Sequence, residues 1–285
     1  MGRITNLQIQ SPKLKYSRKI LLLTDLHINH CSKTNIELLS SRLPDIYDLV
    51  FILGDIIHDG SSIEDLKMQK EIINNIRELT FNRPTFIITG NHDILKRIRF
   101  ETYRNYPNLN IEDLLSNRHN IHLVSNKLFK YQDLSVSGFE PSPNYYLNKE
   151  KISIFKEEFK DYNKNIYPEN TFNIFLIHDP KSIIELSKQE KVIPSLDLCL
   201  SGHMHGGLVP SILHKRLNTN YGLVSPTYKL FPNYTRGVVK YNDTLFHVVE
   251  PVNTTPEVPL LNELYGPNCT ILDLQKGKQL TYKLS

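Results

Sequence analysis

Hydrophobic residues gather in five short runs that are rich in β-branched side chains. The runs are Ile20–Thr24, Leu49–Leu53, Thr85–Thr89, Phe172–Ile177 and Leu196–Leu200. Continuous apolar runs of about four to eight residues are typical of strands that are covered on both faces of a sheet. The stretches between the runs are long enough to hold helices. The pattern therefore predicts an α/β fold.

The remaining chain alternates between helical and strand-like periods. Ser62–Thr80 places apolar residues at mostly helical spacing, and Leu147–Lys160 and Lys181–Lys188 are further helix candidates. Strands are predicted at Ile121–Val124, Leu128–Tyr131 and Leu134–Ser137, and a hairpin joins Arg236–Tyr241 to Thr244–Val249. We expect two layers of sheet flanked by helices.

Composition and charge leave the class of partner open. The chain has 285 residues, of which 40% are hydrophobic and 22% charged, as in ordinary globular proteins. Its net charge of +4 is too small to indicate a dedicated nucleic-acid-binding protein, although nucleic acid stays open as a substrate. Several prolines follow Glu250, so we predict one domain over residues 1–250 and an extension over residues 251–285. We expect the extension to pack on or beside that domain and to contain a strand at Thr270–Leu274.

The cysteines and the N-terminal residues favour a reducing compartment. Cys31, Cys199 and Cys269 lie far apart and form no CxxC pair, which indicates neither a disulfide framework nor a thiolate zinc site. The N-terminal residues lack the apolar core of a signal peptide, and no apolar run approaches the roughly 18 residues of a membrane helix. We expect a cytoplasmic protein without a transmembrane segment, and the sequence predicts no oligomeric state.

Each of the five apolar runs is followed by metal-compatible polar side chains. These are Asp25 and His27, Asp55, Asn91 with His92 and Asp93, His178, and His203 with His205. Because ligands of open α/β sheets bind at the carboxyl ends of the strands, these five strand ends can build one site. Any one of the motifs occurs by chance, but their joint occurrence argues for a metal centre.

The donor set indicates which metals the site would hold. Two aspartates, one asparagine and four histidines suit Mn²⁺, Fe²⁺ or Zn²⁺ better than Cu(I) or Ca²⁺. We expect two divalent ions, with Mn²⁺ first and Fe²⁺, Zn²⁺ or a mixed pair as alternatives. Seven donors exceed one tetrahedral site, and they fill two sites if one carboxylate bridges the ions.

The order DxH, GD, GNHD, H and GHxH resembles that of the calcineurin-like metallophosphoesterases. The extended GHMHGG, with Leu230-Phe231-Pro232, Tyr234 and Gly237 after it, is similar to the branch of small bacterial phosphodiesterases. The resemblance covers residues 18 to 250, and it implies a four-layer α/β/β/α sandwich of two mixed sheets flanked by helices. It would make residues 1–250 the catalytic domain.

The resemblance also implies a role for each residue. The first ion would be bound by Asp25, His27 and His205, and the second by Asn91, His178 and His203, with Asp55 bridging. His92 would protonate the leaving oxygen. The implied activity is hydrolysis of phosphate esters, phosphodiesters foremost, by a hydroxide that two metal ions activate. The alternatives are a nuclease of the same superfamily and a noncatalytic scaffold that binds a protein partner.

For several residues beside the motifs, both a functional and a purely structural role are possible interpretations. His58 stands where many members carry an aspartate that hydrogen-bonds the catalytic histidine, and it could serve there or be a loop residue. Asp93 could orient His92 or cap a helix that we expect to begin near Ile94. Lys96, Arg97 and Arg99 could contact substrate phosphate or lie on the solvent face of a short helix.

Overall fold

The computed structural model describes most of the chain. The described residues are 2–28, 33–43, 47–57, 66–94, 115, 120–162, 167–189, 193–209, 221–225, 229–254 and 265–285.

The first sheet contains the first three strands that precede ligand motifs. Its strands are β1 (Ile4–Ser11), β2 (Arg18–Leu23), β3 (Leu49–Leu53), β4 (Thr85–Ile88), β5 (Ile121–Leu123), β12 (Cys269–Lys276) and β13 (Thr281–Leu284). Among the described residues their order is β13-β1-β12-β2-β3-β4-β5. The four strands from β2 to β5 run parallel, so the loops after β2, β3 and β4 leave the same edge of the sheet.

The second sheet carries the other two motif-bearing strands. It consists of β6 (Leu128–Tyr131), β7 (Leu134–Gly138), β8 (Phe172–Leu176), β9 (Leu198–Ser201), β10 (Gly237–Tyr241) and β11 (Thr244–Val248). In the described part of the chain the order is β10-β11-β9-β8-β7-β6. Strands β7, β8, β9 and β11 are parallel, and β6 and β10 pair antiparallel at the two edges.

Helices cover the outer face of each sheet. In the described part of the chain the α-helices with both ends defined are α1 (Lys33–Ser40), α2 (Leu66–Thr80), α3 (Pro143–Leu147), α4 (Lys151–Tyr162) and α5 (Lys181–Ser187), and a 3-10 helix spans His205–Leu208. One apolar cluster joins α1 and α2 to the first sheet, and another joins α4 and α5 to the second sheet. A third cluster fills the space between the two sheets. The four-layer α/β/β/α sandwich is thus confirmed.

Most predicted elements lie within two residues of their observed ends. The hairpin is confirmed, since β10 pairs with β11 around Asn242 and Asp243. The helix predicted at Leu147–Lys160 is wrong in its start: α3 ends at Leu147 and α4 begins at Lys151, because Asn148 is extended (φ −102°, ψ 156°). Strands β1 and β13 and helices α1 and α3 were not predicted. Residues 62–65 of the helix predicted at Ser62–Thr80 lie outside the described residues.

The segment after residue 250 contributes strands to the first sheet. Strand β12 lies between β1, with which it is parallel, and β2, with which it is antiparallel. Its residue Leu272 is fully buried between the two sheets. The boundary at residue 250 stays a prediction, but this strand lies inside the sheet rather than beside it.

The helices of the described residues are too short or too polar to cross a membrane.

Replacing Leu272 by alanine tests whether β12 is part of the core. The change removes apolar contacts between the sheets and leaves a cavity, so we expect the free energy of unfolding to fall by about 2–5 kcal/mol in urea denaturation. Lys283→Ala, on the exposed part of β13, is the control, with an expected change within about 0.5 kcal/mol. Equal, small effects of both changes would mean that β12 is dispensable for the fold.

Candidate metal centre

The five motif loops meet at one end of the two stacked sheets. The backbone N–H of Asp25 donates to Gly54 O (3.1 Å), and that of His27 donates to Asp55 O (2.9 Å). The loop after β8 joins the loop after β9 through Gly202 N and His178 O (3.0 Å). Backbone hydrogen bonds therefore fix the motif loops to one another before any side chain is considered.

One group of side chains gathers around Asp25. His205 Nε2 lies 3.3 Å and His27 Nε2 lies 3.8 Å from Asp25 Oδ1, and the two imidazole nitrogens are 3.4 Å apart. One ligand atom from each of the three residues lies within 4.8 Å of the others, as in a metal site. This is the set expected for the first ion.

A second group gathers around Asp55. His178 Nε2 is 3.0 Å from Asp55 Oδ2, and the pair forms a metal-compatible cluster with His203. Asp55 Oδ2 also lies 3.9 Å from His27 Nε2, a member of the first group. Asp55 is therefore placed between the two groups, where a bridging ligand would stand. Asn91 Oδ1 is buried without a hydrogen-bond partner among the described residues.

Each aspartate has one oxygen held by the protein and one facing the cluster. Asp25 Oδ2 accepts from Thr24 Oγ1 (2.8 Å) and His203 N (3.2 Å), and Asp55 Oδ1 accepts from His92 N (2.9 Å). The other oxygens, Asp25 Oδ1 and Asp55 Oδ2, are buried and accept from no hydroxyl or backbone N–H of the described residues, so their nearest polar neighbours are imidazole nitrogens. Buried carboxylates need compensating positive charge, and oxygen and imidazole donors suit divalent cations. These residues fit a metal centre.

Two histidines are oriented from behind by backbone carbonyls. His178 Nδ1 lies 2.6 Å from Leu53 O, and His205 Nδ1 lies 2.6 Å from Thr254 O. A ring N–H at Nδ1 donates to each carbonyl and leaves Nε2 facing the cluster, the arrangement that metal-binding histidines commonly show.

The segment after residue 250 reaches this site. Besides the carbonyl of Thr254, the backbone N–H of Asn253 donates to Asp25 O (3.0 Å), and the Asn253 side chain donates to Leu26 O (2.5 Å). These bonds hold the loop that carries Asp25 and His27.

Burial and charge set the proton-binding properties of the imidazoles. Burial lowers the pKa of His27 to about 3 and that of His203 to about 4, so both rings are neutral near pH 7. Burial also acts to lower the pKa of His178, but the adjacent Asp55 outweighs it and raises the pKa to about 10. Metal binding at His178 would therefore displace a proton.

Several predicted ligands adopt a backbone conformation that is rare for residues with side chains. Positive φ angles occur at Asp25 (51°), His27 (42°), Asp55 (51°), His203 (66°) and His205 (47°). Such residues cost of the order of 1–3 kcal/mol each and gather at functional sites. The fold therefore stabilises strained loops to bring these side chains together.

Two glycines allow the motif loops to approach closely. A Cβ on Gly90 would overlap the backbone nitrogen and the carboxylate of Asp55. One on Gly202 would overlap Thr24 Oγ1 and come within 3.0 Å of Asp25 Oδ2. Glycine is thus required where β4 and β9 deliver their motifs beside the two aspartates.

His92 lies at the open side of the site. Its Nε2 is 3.9 Å from Asp55 Oδ2, and its ring packs edge-on against His27 with centroids 4.9 Å apart. The His92 side chain is 27% exposed, whereas the side chains of Asp25, His27, Asp55 and His178 are at most 1% exposed. It is therefore placed where an approaching substrate would meet it.

Asp93 caps a helical turn that begins earlier than predicted. Residues 91–94 are helical, so the turn begins at Asn91 rather than near Ile94. Asp93 Oδ2 accepts from Gly90 N (2.9 Å) at the start of that turn, as the third residue of a capping box does. Asp93 Oδ1 accepts from Ile56 N and Ile57 N (both 3.1 Å), which ties this turn to the loop after β3. Burial and the charge of Asp55 raise the pKa of Asp93 to about 7.

Cys31 and four candidate site residues lie outside the described residues. The four candidates are His58, Lys96, Arg97 and Arg99.

Asp179 belongs to the site and was not predicted. Its Oδ2 lies 3.7 Å from His203 Nε2, accepts from Tyr145 Oη (3.0 Å) and lies 3.4 Å from Lys151 Nζ. Burial opposes ionisation, but His203 and Lys151 lower the pKa of Asp179 to about 2. A carboxylate behind an imidazole orients the ring and strengthens it as a ligand. The one feature of the sequence that could have indicated this role is the position of Asp179 directly after His178.

The family model for calcineurin-like phosphoesterases matches residues 18–207, which is more than half of the chain. The chain therefore belongs to the calcineurin-like phosphoesterase family.

The relatives carry only general descriptions. An uncharacterized metallophosphoesterase of Helicobacter pylori is 28% identical over 239 residues, covering 80% of this chain and 57% of the relative. One from Campylobacter jejuni is 24% identical, covering 72% and 49%. YkoQ of Bacillus subtilis, also described as an uncharacterized metallophosphoesterase, is 24% identical, covering 83% and 76%. The chain spans about half the length of the Helicobacter and Campylobacter proteins.

Solved structures show weaker likeness. TT1561 of Thermus thermophilus has a TM-score of 0.46 at 12% identity, covering 83% of this chain and 91% of that one. A dimetal phosphatase from Danio rerio has a TM-score of 0.43 at 10% identity, covering 82% and 88%. The fold assignment rests on the strand order and layers rather than on these scores.

Asp179→Asn tests whether this carboxylate supports a metal ligand. Asparagine keeps the size of the side chain but removes the charge behind His203, so we expect the affinity for Mn²⁺ to fall about 10–100-fold in isothermal titration calorimetry. The control is Asp273→Asn on β12, whose carboxylate accepts from Gln275 Nε2 (2.8 Å). Unchanged Mn²⁺ affinity in Asp179→Asn would contradict the assigned role.

Proposed function

We propose that this chain is a metal-dependent hydrolase of phosphate esters, with phosphodiesters as its preferred substrates. The observation that carries the proposal is the pair of buried carboxylate oxygens, Asp25 Oδ1 and Asp55 Oδ2, each of which lies among imidazole nitrogens in a cluster that could hold a metal ion. Membership in the calcineurin-like phosphoesterases supports this reading of the site.

The two clusters suggest how two ions would be shared. Asp25, His27 and His205 would hold one ion, and Asn91, His178 and His203 would hold the other. Asp55 lies near members of both sets and would bridge them. We expect Mn²⁺ at both positions, since the donors are carboxylate and amide oxygens and imidazole nitrogens, with Fe²⁺ and Zn²⁺ as the alternatives.

The protein residues orient the reaction and move its protons. When bound, two divalent ions supply charge to neutralise the phosphate and lower the pKa of an attacking water. The carbonyls of Leu53 and Thr254 fix the rings of His178 and His205, so the ligand atoms need not reorganise during the reaction. His92 Nε2, on the open side, would give its proton to the leaving oxygen.

The intact side-chain set favours an enzyme over a noncatalytic scaffold. Two buried carboxylates destabilise the fold unless positive charge compensates theirs. A scaffold that only binds a partner protein would gain nothing from keeping them. It also has no need for a partly exposed histidine 3.9 Å from Asp55.

A hydrolysis panel with added Mn²⁺ tests the proposal and separates substrate classes. We expect turnover of bis-p-nitrophenyl phosphate above that of p-nitrophenyl phosphate, and cyclic nucleotides and single-stranded DNA complete the panel. Asp55→Asn should lose metal-dependent turnover, because asparagine cannot supply a negative bridging oxygen. Absence of turnover on every substrate would reject the enzyme, and DNA as the best substrate would favour the nuclease alternative. Full activity of Asp55→Asn would reject the site.

His92→Ala tests the role of the leaving-group acid. For a diester whose leaving group is a strongly basic alkoxide, we expect kcat to fall about 10²–10⁴-fold, the range that a general acid contributes. For a nitrophenyl ester the loss should be much smaller, because its leaving group departs without a proton. The matched control is His122→Ala, a partly buried histidine stacked on Phe86 in β4. Equal losses for both leaving groups would contradict proton donation by His92.

A further inference from the structure

Helix α3 places two adjacent tyrosines beside the metal centre. The ring centroids of Tyr145 and Tyr146 are 4.9 Å apart, and the Tyr146 ring lies 6.4 Å from that of His203. Neither tyrosine belongs to a sequence motif of the site. They reach it because α3 packs next to the loops that follow β8 and β9.

The two hydroxyls differ in how the protein uses them. Tyr145 Oη donates to Asp179 Oδ2 (3.0 Å) and lies 2.9 Å from Ser182 Oγ. Both hydrogen bonds of this hydroxyl are therefore made within the protein. Tyr146 Oη is buried and has no hydrogen-bond partner in the described part of the chain. A buried hydroxyl without a partner is destabilising. Because the Tyr146 ring also lies 6.4 Å from that of His203, a ligand bound at the metal centre would supply the missing partner.

The surroundings of Tyr146 make its hydroxyl a donor. Burial raises its pKa well above the ordinary value, and the neighbouring Tyr145, Asp179 and Asp55 raise it further. The phenol therefore keeps its proton, and it can offer an O–H to an anionic oxygen.

A positive charge lies along the same edge. Lys151 Nζ is 5.6 Å from the centroid of the Tyr146 ring and 5.1 Å from that of Tyr145, and its side chain is 22% exposed. Lys151 offsets the charge of Asp179, which would otherwise repel an anion approaching this edge. A hydroxyl donor next to an ammonium group matches the nonbridging oxygens of a phosphate.

We propose that Tyr146 is a substrate-contacting residue, whose O–H donates a hydrogen bond to a nonbridging phosphate oxygen held at the metal centre beside His203. The inference rests on the proposed function, since it takes the ligand to be a phosphate group. It adds a recognition element from α3 that none of the strand-end motifs contains.

The test measures binding of inorganic phosphate to the Mn²⁺-loaded protein by isothermal titration calorimetry, in wild type and in Tyr146→Phe. Because the lost bond joins a hydroxyl to a charged group, we expect phosphate to bind about 10–100-fold more weakly to the variant. The affinity for Mn²⁺ should not change. The melting temperature of the metal-free protein should stay the same or rise, because the change removes a buried hydroxyl that has no partner.

Tyr162→Phe is the matched control. Tyr162 Oη is likewise buried without a hydrogen-bond partner among the described residues, but the ring packs among Phe139, Phe159 and Phe175 in the outer core of the second sheet rather than against a predicted ligand. We expect phosphate to bind this variant as tightly as it binds the wild type.

Three results would overturn the inference. Wild-type phosphate affinity in Tyr146→Phe would overturn it alone and leave the proposed function standing. A lower melting temperature together with weaker Mn²⁺ binding would assign Tyr146 a structural role instead. If the Mn²⁺-loaded wild type bound no phosphate, the inference would fall together with the proposed function.

Discussion

Burial of two carboxylates side by side is the constraint on which the site depends. Asp25 and Asp55 are almost fully enclosed, and isolated negative charges in such surroundings are strongly destabilising unless cations or donors compensate them. In each aspartate, one carboxylate oxygen accepts hydrogen bonds from hydroxyl or backbone donors, and the other lies among imidazole rings. The glycine contacts, the strained loops and the carbonyls behind the rings all serve to keep this arrangement in place.

The strand ends could be predicted because the apolar run and the polar ligand after it are adjacent in the sequence. A buried parallel strand is a continuous apolar run, and its ligand follows immediately, as Asp55 follows Leu49–Leu53. The sandwich and the convergence of the motif residues therefore followed from sequence patterns and from the family resemblance. Elements with weaker patterns were missed: β1 alternates apolar and polar residues, and α1 is a short helix outside every motif.

The parts of the site that could not be predicted depend on tertiary packing. Nothing near Tyr145 or Tyr146 indicates that they lie beside His203, which is more than fifty residues away in the sequence. The helix break at Asn148, which separates the two tyrosines from Lys151, lies within a segment whose apolar spacing suits one continuous helix. Likewise, the Asp93 carboxylate accepts hydrogen bonds from the backbone N–H groups of Ile56 and Ile57. The spacing of residues along the sequence does not indicate these bonds.

The position of β12 has a consequence for the order in which the protein can form. Strand β1 has its parallel partner about 260 residues later, so the first sheet cannot close until residues 269–276 have left the ribosome. Until then β1 and β2 present unpaired edges, which are prone to wrong pairing, and contacts of such long sequence separation form slowly. Residues 253 and 254, which hold the Asp25 loop and His205, also emerge late. A nascent chain would thus carry every predicted metal ligand before it could hold them in place.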